Sequence, residues 1–238
     1  MRKRYVIPAL ALVIAVLSVI GLQQIGNSRT FQFFGQIKNR VKTPEKVVAL
    51  TFDDGPTAGP TGEVLAMLAK EDVKATFFVT GGELKQNLDE GKKIVAGGHE
   101  LGNHSYSHLR MMLVSPSFVA DEIESTDRLI REAGYQGQIY FRPPYGKKLF
   151  TLPYYLSKTG RISITWDVEP DSYSAIAADA DKIAEHVLGR TQPGSIILLH
   201  VMYGSRKESL RAVPKIIAGL KERGYSFKTV SELLAMEQ

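Results

Sequence analysis

From residue 47 onward, short runs rich in Val, Ile, Phe and Thr alternate with amphipathic stretches, and this alternation limits the fold more than any other feature. The β-rich runs fall at 47–52, 74–80, 99–103, 138–142, 161–168, 195–200 and 226–230. Between them, 61–71, 117–133, 176–188 and 209–223 repeat apolar residues at helical spacing. Seven such alternations predict one parallel α/β domain over 47–238, either an open sheet or a closed barrel. Ser115-Pro116-Ser117 and Gly134 supply caps for the 117–133 helix. In parallel α/β folds function gathers at the carboxyl ends of the strands. Five of the seven runs are followed directly by polar clusters, so residues far apart in sequence can converge there.

Charge is distributed unevenly. The chain carries 30 Lys and Arg against 25 Asp and Glu, but eight of the bases and one acid, Glu45, lie in residues 1–46. The remaining 22 bases and 24 acids make the 47–238 part slightly acidic, with no nucleic-acid footprint. Nothing in the composition marks a protein partner. With 44% hydrophobic and 23% charged residues the chain is not wholesale disordered. The absence of cysteine excludes disulfides, thiolate metal sites and a cysteine nucleophile.

Arg2-Lys3-Arg4 precede an uncharged apolar run, Tyr5 to Leu22, whose eighteen residues make a helix of about 27 Å, near the hydrocarbon thickness of a bilayer. Two fates compete, an uncleaved anchor and a cleaved signal peptide. The run is long for a signal peptide and no Ala-x-Ala follows it, Val19-Ile20-Gly21 being a poor substitute. The expectation is therefore a single-pass membrane anchor over 1–22, with secretion after cleavage as the alternative. Arg29, Lys38, Arg40 and Lys42 beyond the run balance the bases before it, so charge alone does not orient the chain. Residues 23–46 read as a basic juxtamembrane linker.

The strand-end clusters carry the chemistry. Thr51-Phe52-Asp53-Asp54-Gly55-Pro56 places two adjacent carboxylates after the first run. Their repulsion calls for a cation or proton beside them, although Asp-Gly-Pro also makes turns on its own. In Gly102-Asn103-His104-Ser105-Tyr106-Ser107-His108, two of the chain's five histidines stand four apart. On a helical turn they would share a face, which suits two imidazoles on one metal. Phe141-Arg142-Pro143-Pro144-Tyr145-Gly146 leaves its strand rigidly, holding Arg142 where a guanidinium can clamp a carboxylate, although alone it reads better as a proline turn with a solvated arginine. Trp166-Asp167-Val168-Glu169-Pro170-Asp171-Ser172-Tyr173 and Leu198-Leu199-His200 are each weak alone, since strand-end acids and histidines are often merely solvated or hydrogen-bonded.

Together, in order and placement, the five clusters resemble the motifs of the polysaccharide deacetylases, the NodB-homology group or carbohydrate esterase family four, over about residues 47–233. The resemblance implies a distorted (β/α) barrel of seven strands. It implies one divalent metal, zinc first and cobalt or another divalent ion next, held by Asp54, His104 and His108 with an open position for water. Asp53 matches the general base and His200 the general acid; Arg142 would orient Asp53, and the backbone N–H of Tyr145 would face the oxyanion. Trp166 and Leu198 either wall an acetyl pocket or are ordinary core. The fourth motif departs from the pattern: aligned on Trp166, Glu169 takes the first acid's place, but Ser172 and Tyr173 stand where Asp and Trp are usual. Either Glu169 or Asp171 is then the acid that tunes His200. Tyr203, Gly204, Arg206 and Lys207 either contact substrate or form a solvated loop.

The implied activity is metal-dependent removal of N-acetyl groups from an extracellular N-acetylhexosamine polymer, peptidoglycan first and chitin-like oligomers second. The competing readings are an O-acetyl esterase on xylan or wall polymer, and an inactive glycan-binding relative that keeps the barrel. A fixed envelope polymer suits an anchored enzyme, which places the catalytic domain outside.

Overall fold

A computed structural model describes residues 3–238, with side chains from residue 10 onward. The side chains of the basic collar, Arg2, Lys3 and Arg4, lie outside the described ones. In chain order the elements are α1 (Lys3–Asn27), β1 (Ile37–Lys38), β2 (Val47–Asp53), α2 (Pro60–Lys70), β3 (Thr76–Val79), α3 (Gly81–Gln86), α4 (Leu88–Ala96), β4 (Glu100–Asn103) and α5 (Pro116–Glu132). They continue with α6 (Thr151–Lys158), β5 (Ser163–Ile164), α7 (Ser174–Ala177), α8 (Ala180–Arg190), β6 (Ile196–Leu199), α9 (Lys207–Glu222), β7 (Ser226–Lys228) and α10 (Val230–Leu234).

Every strand pairing in the two sheets is parallel. One sheet runs in the order β4-β3-β2-β6, with β7 also paired to the start of β2; β1 and β5 form a separate pair. The central strand β2 is buried along its whole length, as a parallel strand covered on both faces must be. Its alternation divides the interior. Val48, Leu50 and Phe52 join the larger cluster beneath the helices, whereas Val47 and Ala49 join Phe78, Ile164, Trp166, Ile196 and Leu198 on the other side. With a side-chain period of two, Thr51 and Asp53 face that second, inner side. Helix α5 begins as its sequence demands: the Ser115 hydroxyl accepts from the Phe118 N–H at 3.2 Å and Pro116 takes the first turn, while Gly134 past its end has φ +95°.

Two expectations are corrected. The 138–142 run forms no strand; only Phe141 bridges, to Asn103 on one side and Ser163 on the other. Pro143 and Pro144 offer no N–H to extend a ladder there. Of the 161–168 run only Ser163–Ile164 is regular, and Val168 makes a single bridge to Ile197. Among the described residues the ladders therefore do not close into the seven-stranded barrel; single bridges occupy the gaps. The second correction concerns residues 23–46, read from the sequence as a linker, of which 23–27 continue α1 and the rest joins the domain. β1 pairs with β5, Val41 is fully buried, its N–H donates to the Gly194 carbonyl at 2.9 Å, and the Thr165 hydroxyl donates to the Arg29 carbonyl at 2.6 Å. The segment is part of the domain's wall.

The apolar run is helical and the helix continues past it to Asn27; residues 10–27 have mean hydropathy 1.8 with 6% of the window buried. The Lys148 N–H donates to the Gly26 carbonyl at 3.1 Å, the Lys147 ammonium to the Asn27 side chain, and the Lys148 ammonium to the Ser28 carbonyl. The end of α1 is thus fastened to the loop that follows Tyr145.

Phe141 fills the gap between β4 and β5 with a fully buried ring that packs against Ile123, Leu152 and Leu156. Phe141→Ala is expected to cost about 3–5 kcal/mol, read as a lower urea midpoint at unchanged slope.

Candidate active site

Asp53 ends β2 with its carboxylate on the inner face, and the next residue turns the chain. Asp54 adopts φ +71°, a left-handed conformation costly for a residue with a Cβ, which aims its carboxylate beside that of Asp53. His104 follows β4. Its Nδ1 lies 2.7 Å from the Arg142 carbonyl, an acceptor that requires the proton on Nδ1 and leaves the Nε2 lone pair pointing inward.

The second histidine reaches the first by a route the four-residue spacing did not foretell. Residues 104–108 form no helix: Ser105 and His108 have φ +66° and +57°, and the loop closes on itself. The Ser105 hydroxyl accepts from the His108 N–H at 3.1 Å. The Glu122 carboxylate accepts from the Tyr106 and Ser107 N–H groups at 2.9 and 2.8 Å. The Asn103 side-chain oxygen accepts from the Ser105 N–H at 2.8 Å. A tight loop, pinned by Asn103 and Glu122, does what a helical turn was expected to do.

The result is a cluster of three ligand atoms. His108 Nε2 and His104 Nε2 stand 3.3 and 3.9 Å from Asp54 Oδ1, and one donor atom from each residue lies within 4.8 Å of the others. Asp54 Oδ1 is buried without a hydrogen-bond partner. A buried carboxylate oxygen with no donor is costly, and a cation shared with two imidazole lone pairs would satisfy it. The residues present fit a divalent metal with a two-nitrogen, one-oxygen set.

Around this trio a cavity of about 510 Å³ is lined by Asp53, Tyr145, Trp166, Leu198 and His200, among others. Trp166 and Leu198 line this cavity and also belong to the inner core cluster. Tyr145 adopts φ +57° at the rim, its ring 4.6 Å from that of His108. Arg142 and Asp171 stand behind the wall, 0% and 1% exposed, and reach the cavity through Asp53 and His200.

A family model described as polysaccharide deacetylase matches residues 40–164. The chain belongs to the polysaccharide deacetylase family. A peptidoglycan-N-acetylglucosamine deacetylase of Bacillus cereus is 36% identical over 188 residues, covering 78% of this chain and 67% of that one. A chitooligosaccharide deacetylase of Bradyrhizobium sp. is 33% identical over 198 residues, covering 78% and 90%. The solved structure of a peptidoglycan N-acetylglucosamine deacetylase aligns with TM-score 0.78 at 32% identity, over 84% of this chain and 94% of that one.

In this member of the family the acid beside His200 is Asp171. Its Oδ1 lies 3.1 Å from His200 Nδ1, and its Oδ2 accepts from the His200 N–H at 2.6 Å and the Ser209 hydroxyl at 2.9 Å. Glu169, the other candidate for that role, is engaged elsewhere. It accepts from Trp166 Nε1 at 2.7 Å, the Ser172 hydroxyl at 2.6 Å and Arg29 at 2.6 Å, with no contact to His200. Ser172 stands where the family pattern has an acid, and here it is a donor to Glu169.

Electrostatics separate the imidazoles. Burial, joined by the neighbouring His108, pushes His104 down to about 3, so the imidazole is neutral at ordinary pH. Burial also works against a charged His200, but the Asp171 hydrogen bond and carboxylate outweigh it and raise His200 to about 9. A histidine raised in this way stabilises the fold fully below its unfolded value of 6.5, and that contribution is lost as pH rises through about 9. Burial pushes the Asp53 carboxyl up, opposed chiefly by the Arg142 guanidinium, whose NH1 donates to Asp53 Oδ1 at 2.5 Å.

Sequence reasoning missed Arg29. Its guanidinium lines the cavity, pairs with Glu169 and lies 4.6 Å from the Trp166 ring centroid. It comes from the supposed linker, 140 residues from Glu169, and no spacing signal connects the two. Thr51, whose hydroxyl accepts from Arg142 at 2.9 Å, and Ser209 were also missed, being unremarkable polar residues in a strand and a helix. Beyond His200, Arg206 lines the cavity and the Tyr203 hydroxyl donates to Glu83 at 2.5 Å.

His104→Ala removes a nitrogen ligand and is expected to abolish stoichiometric divalent-metal uptake after chelation and reloading, measured by elemental analysis. Asp171→Asn deletes the charge holding His200 up; its imidazole midpoint, followed by NMR, is expected to fall from about 9 to below 6.5.

Proposed function

We propose that the protein removes N-acetyl groups from an extracellular N-acetylhexosamine polymer, peptidoglycan first and chitin-like oligomers second. The observation that carries this reading is the convergence of the Asp54–His104–His108 trio with Asp53 on one side and an Asp171-backed His200 on the other, within one cavity. The relatives' names supply the substrate class, since they include deacetylases of both glycans.

Asp54, His104 and His108 would hold the divalent ion, zinc being the first choice for this donor set. When bound, such an ion lowers the pKa of water and polarises the acetyl carbonyl. Asp53 takes the proton from the attacking water; burial makes it a stronger base than a solvated carboxylate, and Arg142 fixes its direction. The backbone N–H of Tyr145, held at the rim by its left-handed turn, donates to the developing oxyanion. His200, charged at neutral pH, gives its proton to the departing sugar nitrogen, and Asp171 stabilises the imidazolium throughout. Trp166 and Leu198 line the cavity and would contact the acetyl methyl.

An apolar helix fastened to the domain suits an enzyme working on a fixed envelope polymer. The reading is a single-pass membrane protein with its catalytic domain outside; release after signal cleavage is the alternative.

Metal-loaded full-length protein in mild detergent is expected to release acetate from N-acetylated peptidoglycan fragments and chitin oligomers. Asp53→Asn is expected to lower kcat by about 10²–10⁴-fold, and kcat/KM of the parent protein is expected to fall on the alkaline side as His200, raised above its ordinary value by Asp171, loses its proton. No acetate from either glycan in the metal-loaded parent would overturn the reading.

A further inference from the structure

Phe31, Phe33, Phe34 and Phe150 are 49%, 38%, 42% and 42% exposed, and every exposed phenylalanine among the described residues is one of these four. They are not scattered. The rings of Phe31 and Phe33 meet edge-on at 5.7 Å, Phe33 stacks on Phe150 at 4.8 Å, and Phe34 meets Tyr154, itself 51% exposed, edge-on at 5.5 Å. Isolated exposed apolar side chains are ordinary; a contiguous aromatic patch marks a surface that something covers.

The occupant is argued from where the patch begins. The apolar run ends at Leu22 and its helix at Asn27, about 8 Å further along the axis. Phe31 follows after a turn in which the Ser28 hydroxyl accepts from its N–H at 3.0 Å. Phe150 lies two residues after Lys148, which is bonded through its N–H and ammonium to Gly26 and Ser28. The patch is therefore held at the exit of a membrane-length helix by bonds from both sides. With α1 across a bilayer, a surface fastened this close to the end of the apolar run would meet the interfacial layer, where aromatic rings concentrate. The Lys158 ammonium, 5.5 Å from the Tyr154 ring centroid, supplies a cation at the edge where anionic headgroups would lie.

We propose that this aromatic patch is a lipid-docking surface that seats the catalytic domain on the bilayer interface beside its own anchor. The inference rests on α1 being a membrane anchor. Docking fixes the tilt of the domain and holds Arg29, two residues before Phe31 and part of the cavity wall, close to the headgroups.

The chain has no cysteine, so a single introduced cysteine can be labelled uniquely. Full-length variants Leu17→Cys, Phe33→Cys, Tyr154→Cys and Lys92→Cys, each carrying an environment-sensitive fluorophore, would be placed in nanodiscs of zwitterionic and anionic lipid with nitroxide-bearing chains. Circular dichroism and acetate release verify folding. The expected result is strong quenching at Leu17, clear quenching at Phe33 and Tyr154, and none at Lys92, which lies on the exposed surface of α4. No quenching at Leu17 would overturn the anchor reading and the docking with it. Quenching at Leu17 with Phe33 and Tyr154 behaving like Lys92 would leave the anchor standing and overturn the docking surface alone. Signals at Phe33 that answer to added glycan, or to protein concentration, and not to the nitroxide lipid would assign the patch to a glycan or a second copy and equally overturn it.

Discussion

The Arg142 guanidinium is the tie on which the rest of the site depends. It is fully buried and makes four hydrogen bonds: to Asp53 at 2.5 Å, to the Thr51 hydroxyl at 2.9 Å, and to the Ile164 and Thr165 carbonyls at 3.3 and 3.2 Å. Its face lies 3.9 Å from the Phe78 ring centroid. Its own backbone closes the circuit, the N–H donating to the Asn103 carbonyl at 2.9 Å and the carbonyl meeting His104 Nδ1. One residue thereby links β2, the end of β4 and β5, and fixes the directions of the Asp53 carboxylate and the His104 imidazole. A buried charge this well partnered is tolerable only as a pair; removing one member would strand the other in a dry interior. Lysine, with one point charge and no planar fork, could not reproduce the set.

The same fold prepares imidazoles for opposite tasks. His104 is buried beside another histidine with a carbonyl on its outer nitrogen, and burial keeps it neutral. His200 is partly buried, and Asp171 contacts both its ring and its N–H and keeps it charged. Burial pushes both in one direction; at His104 it prevails over the carbonyl, and at His200 the Asp171 carboxylate outweighs it.

How much of this was legible depended on where the controlling contacts lay. β2, β3, β4 and β6, together with α2, α5, α8 and α9, were readable because their patterns are local and strongly periodic. Asp53, Asp54, His104, His108 and His200 were readable because each closes or follows a strand. The loop geometry of His108 was not, since it is set by Glu122 on α5, 14 residues away, accepting from two N–H groups. The choice between Glu169 and Asp171 was equally invisible, because it turns on partners at 29, 200 and 209 that share no periodicity with them. The missing strand at 138–142 shows tertiary context and two prolines overriding β-propensity.

The pairing of β1 with β5 and the reach of Arg29 to Glu169 move the start of the folded unit back to about Ser28. A recombinant fragment begun at Val47 would leave one edge of β5 bare and Glu169 without its counter-charge, so a faithful soluble version has to retain the stretch just after the helix.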